Sequence, residues 1–435
     1  MEKYEVSIII PLYNREKLII PCIKSINSQT YDKSKWEVIF VDDASTDKSI
    51  STIESLIDKS INYRIIKRVI GSGGASSPRN EGIKSCFSKY VFFCDSDDYF
   101  DSQLLENAMA IAYKNDSDIV YIKRTGEGRE TAARPFDNSF VDDADVLTNH
   151  LVRSLNPIKF IKLDLLNKNH ILFIPSIQVA EDQVFMMHVL TKARKISILA
   201  DKIYYTAVGH EGEHLSRKER SVESFYQTIY IPLNYIYIMK DTEDYDHKRK
   251  LYNAWLVRSA ERIRDGVGVG KNDSKEFESM FLLASNYFNI GKELFDLSQI
   301  YDNEKQVVIN LLIGNFQEFR RLAVQQNLCI SVKNNLVRSL KNEEGYTSPW
   351  FYRNKAVVMD FVFEDAKVSF DLEVNETREI KVWMFSRDKP ELIDSLKDNA
   401  VSVDNNKLLV FEGTLDTQKE MITKIKYFLV ALRIK

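Results

Sequence analysis

Three carboxylates, Asp95, Asp97 and Asp98, follow the apolar run Tyr90–Cys94 in Lys89-Tyr-Val-Phe-Phe-Cys-Asp-Ser-Asp-Asp-Tyr-Phe100. At the end of a buried strand, three acids repel one another and lose hydration. A hard divalent cation would compensate them, and Mg²⁺ or Mn²⁺ typically takes one or two carboxylates together with substrate phosphates. The segment therefore reads as a metal–diphosphate site at the carboxyl edge of an open α/β sheet. The plainer alternative is a surface turn whose acids cap a helix beginning at Asp101 or Ser102.

Other chemistry-bearing groups fall at the ends of neighbouring strands. Pro11-Leu-Tyr13-Asn14 closes the first apolar run, Asp42-Asp43 closes the second, and a glycine-rich loop from Gly71 leads to Arg79. Tyr13 could stack on a base and Asp43 could accept the N3–H of uracil. Arg79, at a helix start, could meet phosphate oxygens with charge and dipole together. Taken singly, these residues could equally be packing, a turn and a surface ion pair. Together, at consecutive strand ends, they form the set a nucleoside diphosphate needs. The loop at Gly71 matches neither G-x-G-x-x-G at the first strand–helix turn nor G-x-x-x-x-G-K-[ST], which argues against a dinucleotide dehydrogenase and a P-loop NTPase.

Glu181-Asp182 opens a further helical pattern, where acids either favour the helix dipole or supply a general base for an acceptor hydroxyl. His210-Glu-Gly-Glu-His214-Leu-Ser216 is not H-E-x-x-H, and its glycine interrupts a helix. It reads as a loop donating His214 and Ser216 to metal or diphosphate, or as a solvated polar loop.

The elements that would position these groups follow from hydrophobic spacing. Val6–Leu12, Trp36–Val41, Tyr63–Ile70, Tyr90–Cys94 and 116–123 read as strands, alternating with helical patterns in a mostly parallel sheet. Ser77 and Pro78 are placed to start the helix carrying Arg79. Residues 217–340 read as helical. Residues 341–349 have linker composition. Beyond them the period becomes two, with strand candidates including Ile425–Ile434 and a small antiparallel β-sandwich as the expectation. The expected domains are 1–216, 217–340 and 350–435.

The chain has 435 residues, 44% hydrophobic and 28% charged, with net charge −3. That is ordinary globular composition, with no global attraction for nucleic acid. The four cysteines form no C-x-x-C pair. Met1-Glu-Lys-Tyr runs directly into a strand, no signal peptide is read there, and no apolar run reaches about 18 residues. The expectation is a cytoplasmic protein or one peripheral to the inner membrane face.

The pieces VSIIIPLYN, VIFVDDASTD, GGASSPRNEGI, YVFFCDSDDYF and AEDQVF, in that order over residues 5–216, resemble the family 2 glycosyltransferases of GT-A fold. SSPRN, Gly126-Glu-Gly-Arg129, SIQVAEDQVF and ISILADKIYYTAVGHEGEHLS are similar to the poly(ribitol-phosphate) β-N-acetylglucosaminyltransferases of wall teichoic acid. The resemblance implies that Tyr13 and Asp43 hold uridine, with Pro11 also in the nucleotide-sugar site, that Arg79 and Asp95 contact sugar and phosphates, and that Arg129 and Ser216 face the diphosphate. It further implies Asp97 and His214 at a Mn²⁺ or Mg²⁺ ion, Asp182 as base and Glu181 beside it. The implied reaction moves a sugar, N-acetylglucosamine, from its UDP donor to a polyanionic acceptor, poly(ribitol phosphate), in a homo-oligomer, with a trimer suspected. A capsular polysaccharide acceptor with glucose or galactose, or a non-catalytic glycan-binding protein, are the competing readings. Lys159, Lys162, Arg258, Arg262 and Arg264 are candidate acceptor-binding cations. Gly71 departs from the Asn that relatives often carry, His210 stands where a more basic residue is usual, and the C-terminal β region is short for a tandem-domain trimer.

Overall fold

The computed structural model describes residues 3–128, 135–136, 139–209, 221–267, 275–300 and 304–323, and the C-terminal strands and helices given below. The chain divides into two compact units, Met1–Trp255 with Glu293–Phe295, and Leu256–Lys292 with Asp296–Lys435.

The first unit opens as β1 (Tyr4–Leu12), α1 (Ile19–Asn27), β2 (Trp36–Asp42), α2 (Ser49–Leu56), β3 (Asn62–Lys67), α3 (Ser76–Ser85), β4 (Ser88–Phe93), β5 (Tyr99–Phe100) and α4 (Leu104–Asn115). It continues with β6 (Ile119–Ile122), β7 (Arg124–Glu127), β8 (Phe140–Val141), β9 (Lys159–Lys162), α5 (Leu163–Lys168), α6 (Glu181–Lys192), β10 (Ile196–Leu199), β11 (Tyr205–Val208) and α7 (Val222–Tyr237). Eight strands form one sheet in the order β3-β2-β1-β4-β9-β6-β10-β8. β3, β2, β1 and β4 run parallel, and β9 runs antiparallel between β4 and β6. Nearly continuous apolar sequence in β1, β2 and β4 is buried on both faces, as a sheet flanked by helices requires. A second sheet, β5-β11-β7, stands beside it. This is the mixed, mostly parallel architecture expected.

Local boundaries differ from the expectations in instructive ways. β3 stops at Lys67, and Val69 and Ile70 are exposed in the loop that follows. α3 begins at Ser76, so Pro78 is its third residue, still within the first turn where a missing N–H is harmless. A Cβ on Gly82 would collide with the Ile9 side chain, so this glycine lets α3 lie close against β1. That approach brings Arg79 to the sheet edge.

The 217–340 region is helical where described, with α7, α8 (Asp241–Val267), α9 (Lys275–Asn289) and α10 (Lys305–Leu312). The C-terminal β region differs from a sandwich. Six antiparallel strands, β12 (Tyr346–Tyr352), β13 (Ala356–Phe363), β14 (Ala366–Val374), β15 (Glu379–Ser386), β16 (Ser402–Asp404) and β17 (Lys407–Thr414), form one sheet in the order β12-β13-β14-β15-β17-β16. Among the described residues its core is closed by a helix, Gln418–Arg433, not by a second sheet. Of the segment read as a strand at Ile425–Ile434, Ile425 to Arg433 belong to that helix, and Ile434 lies outside the described residues. Met421, Ile425, Phe428 and Leu429 are all buried, and their i, i+4, i+7, i+8 spacing is helical. Part of the expected linker is edge strand β12, with Pro349 at a register shift, a place where the missing N–H is tolerated.

Candidate active site

The carboxyl ends of β1, β2 and β4 lie side by side, with Leu12 in register with Asp42 and Ile9 with Phe93. Pro11, Tyr13, Asp43, Asp95 and Asp97 therefore gather at one edge of the sheet. Tyr13 is 53% exposed and offers a free ring. Asp43 is 5% exposed. Its Oδ2 accepts from the Ser72 backbone N–H at 2.8 Å and hydroxyl at 2.9 Å, and its Oδ1 lies 2.8 Å from Arg68 Nε. Asn14 ties the loop after β1 to the loop after β2: its Oδ1 accepts from the Thr46 N–H at 2.8 Å while its own N–H donates to Ser45 Oγ at 2.9 Å.

The three acids after β4 divide by environment. Asp95 is partly open and accepts from Arg79 Nη2 at 2.8 Å. Asp97 lies 3.6 Å from Arg15 Nε. Asp98 is buried and accepts from Tyr205 Oη at 2.7 Å and from the Val208 N–H at 2.8 Å. Burial, then repulsion from Asp95, pushes Asp98 up to about 7. Asp98 thus secures β11 to the strand end.

Arg79 joins two parts of the site. Its Nη1 donates to Glu181 Oε1 at 3.2 Å while Nη2 holds Asp95, and its guanidinium lies 5.3 Å from the Phe173 ring centre. At 5% exposure it is covered, and both terminal nitrogens face carboxylates. Phe173 stacks on Phe185 of α6 at 3.8 Å, which carries the brace into the helix. Ala180 enters α6 with φ of 65°, a left-handed conformation uncommon for alanine. It places Glu181 and Asp182 in the first turn. Burial, then the neighbouring Asp182, raises Glu181 to about 7. Burial likewise raises Asp182, while attraction to Arg79 opposes the rise. An acid pair tuned this way is suited to proton transfer near neutrality.

Arg129, His214 and Ser216 lie outside the described residues. So does His210. Among the described residues, no group of three His, Cys, Asp or Glu side chains is placed to hold a metal ion. Asp97 suits one hard-oxygen ligand to Mg²⁺ or Mn²⁺, with diphosphate oxygens completing the shell.

The candidate acceptor cations are largely engaged elsewhere. Lys159 is buried against the Tyr121 ring, and its Nζ donates to the Asn156 carbonyl at 2.5 Å. Burial, then Arg124, holds its pKa well below the ordinary lysine value. Lys162 pairs with Asp116, Arg258 with Glu261, and Arg264 with Glu304 and Asp265; Arg262 is buried. Spacing gave no sign of Asp116 beside Lys162 or of Glu304 beside Arg264, which come from other elements, whereas Glu261 lies one turn from Arg258 on the same helix. The sequence reading also passed over Arg68, which it placed inside the third strand, and Ser72, which follows Gly71 in the glycine-rich loop.

The Glycosyl transferase family 2 profile matches residues 7–185. A poly(ribitol-phosphate) beta-glucosyltransferase of Bacillus spizizenii is 39% identical over 222 residues, covering 51% of this chain and 35% of that one. The chain therefore spans only about a third of that relative. The poly(ribitol-phosphate) beta-N-acetylglucosaminyltransferase TarP of Staphylococcus aureus is 30% identical over 267 residues, covering 59% of this chain and 81% of TarP. The crystal structure of S. aureus TarS 1-349 in complex with UDP-GlcNAc superposes with a TM-score of 0.65 at 25% identity, covering 83% of this chain and 97% of that one. With the strand-end carboxylates, the Arg79 brace and the acid pair of α6 in place, the chain belongs to glycosyltransferase family 2.

Proposed function

We propose that the protein transfers N-acetylglucosamine from its UDP donor to ribitol-phosphate units of a teichoic acid, with inversion at the sugar C1. The observation that carries this reading is Arg79, which ties the donor-side Asp95 to the acid pair of α6. Relatives named for poly(ribitol phosphate) support the acceptor. Tyr13 stacks on the uracil and Asp43 accepts its N3–H. Asp182 takes the proton of an acceptor hydroxyl, whose oxygen forms the new bond to C1 as the C1–O bond to the diphosphate breaks. The electron pair leaves with UDP. Glu181, fixed by Arg79, orients the sugar or the acceptor. A divalent ion at Asp97 would supply charge neutralisation on the leaving diphosphate. The transfer proceeds without a covalent enzyme intermediate.

Glucose is the second donor reading, favoured by the 39% identity to a glucosyltransferase. Homo-oligomerisation, a cytoplasmic or membrane-peripheral location, and a glycan-binding or assembly role for the C-terminal sheet belong to the same proposal. No helix among the described residues is long and apolar enough to cross a membrane.

The test is UDP release from UDP-N-acetylglucosamine, UDP-glucose and UDP-galactose, with and without poly(ribitol phosphate), in Mn²⁺ and in chelator. Acceptor-stimulated turnover of the N-acetylglucosamine donor, abolished by chelation, is expected. Stimulated turnover of UDP-glucose alone selects the second reading. Turnover unaffected by poly(ribitol phosphate) removes that acceptor.

A further inference from the structure

The geometry points to Arg68 as the second half of a base reader that, with Asp43, selects uracil; this rests on the proposed uridine site. Leu12, Asp42 and Lys67 share one register row across β1, β2 and β3. Tyr13, Asp43 and Arg68 each stand one residue beyond it, on adjacent parallel strands roughly 4.8 Å apart. The row therefore presents an aromatic ring, a carboxylate and a guanidinium side by side.

Both polar groups are held in place and left incomplete. Asp43 Oδ2 is occupied by Ser72, but buried Oδ1 makes no hydrogen bond despite lying 2.8 Å from Arg68 Nε. The Arg68 backbone N–H donates to the Asp42 carbonyl at 2.9 Å, and Nη1 donates to Glu81 at 2.6 Å. Its Nη2 donates no hydrogen bond among the described residues, and the side chain is 24% exposed. Gly71 brings no side chain to this corner, and a Cβ there would stand 3.1 Å from the Asp43 carbonyl oxygen.

An anchored acceptor beside an anchored donor matches one pyrimidine edge. Uracil offers N3–H to Asp43 and O4 to Arg68. Cytosine reverses both, with an acceptor at N3 and an amino group at C4. A site built from fixed polar groups rejects such a reversal because its buried groups are left unpaired.

The test measures binding of UDP and CDP to the full chain by calorimetry, for the natural protein, Arg68→Met and Arg68→Lys. The natural protein is expected to prefer UDP. Arg68→Met should bind UDP roughly ten- to a hundredfold more weakly, with the UDP-to-CDP ratio falling toward one. Arg68→Lys restores the cation beside Asp43 without the planar fork, so it should recover thermal stability but not the ratio. It decides the matter even where Arg68→Met does not fold. A natural-like ratio in either variant overturns the role of Arg68. Failure of the natural protein to bind UDP overturns the proposed function itself, a distinguishable result.

Discussion

Two arginines each bridge two carboxylates beside α3, and they do so to different ends. Arg79 lies within α3 and ties Asp95 to Glu181. Arg68 follows β3 and ties Asp43 to Glu81 of α3. The first is sealed beneath Phe173 and faces acids with both terminal nitrogens. The second is partly open and, among the described residues, keeps one nitrogen uncommitted. A covered brace fixes two acids relative to each other and sets how readily they give up protons. An open brace leaves a donor for a ligand. On the proposed function, the pair separates the site into a side that does chemistry and a side that reads the nucleotide.

Asp182→Asn should break the chemical side alone. Acceptor-dependent transfer falls about 10²–10⁴-fold, the range of a lost general base, while calorimetry still finds UDP bound at natural affinity. Loss of UDP binding would erase the division. The next largest effect is on stability. Arg79→Met leaves Glu181 and Asp95 without their cation, and removal of one partner from a buried ion pair costs about 3–5 kcal/mol. The lower end applies because Asp95 keeps contact with solvent. Arg68→Met should cost less in the same denaturation experiment, since Ser72 still donates twice to Asp43. Equal losses would show that both arginines are structural.

The pH dependence sharpens the comparison further. With Glu181 raised to about 7 and Asp182 raised beside it, the acid pair holds a proton below that pH. Transfer should therefore rise with pH through a limb near 7. Glu181→Gln removes the neighbouring charge and should move the limb to lower pH. UDP affinity, which the proposal assigns to Asp43 and Arg68, should show no matching limb.

The smallest effect concerns Asp98. Its carboxyl, raised from the ordinary 3.8 to about 7, binds its proton more tightly in the folded chain than in the unfolded one. The associated stability is complete below the ordinary carboxylate value and is lost as pH rises through about 7. Denaturation midpoints measured from acid to neutral pH should decline less steeply in Asp98→Asn, and an unchanged slope would remove Asp98 as a source.

The strand ends were legible because apolar runs halted at acids or at Tyr13, a pattern carried within a few residues. The terminal helix shows the opposite. Ile425–Ile434 contains enough apolar side chains for a strand, and a short run does not disclose its period. Burial of Met421 and Leu429 on one face settled it. Arg79, Asp95 and Glu181 were each recognisable as site residues, whereas the ion pairs that join them across 16 and 102 positions were not.

By itself the sequence determined the alternating β/α order, the gathering of Tyr13, Asp43, Asp95 and Asp97 at one sheet edge, and the acid pair opening a helix. Those features follow from local periodicity and from the parallel topology it imposes. Only the tertiary structure decided that Asp98 is a buried latch, that Lys159 is covered, and that Arg68 stands in the row of Tyr13 and Asp43. Each depends on which distant group meets a charge in the interior, and that meeting is set by strand register and helix packing.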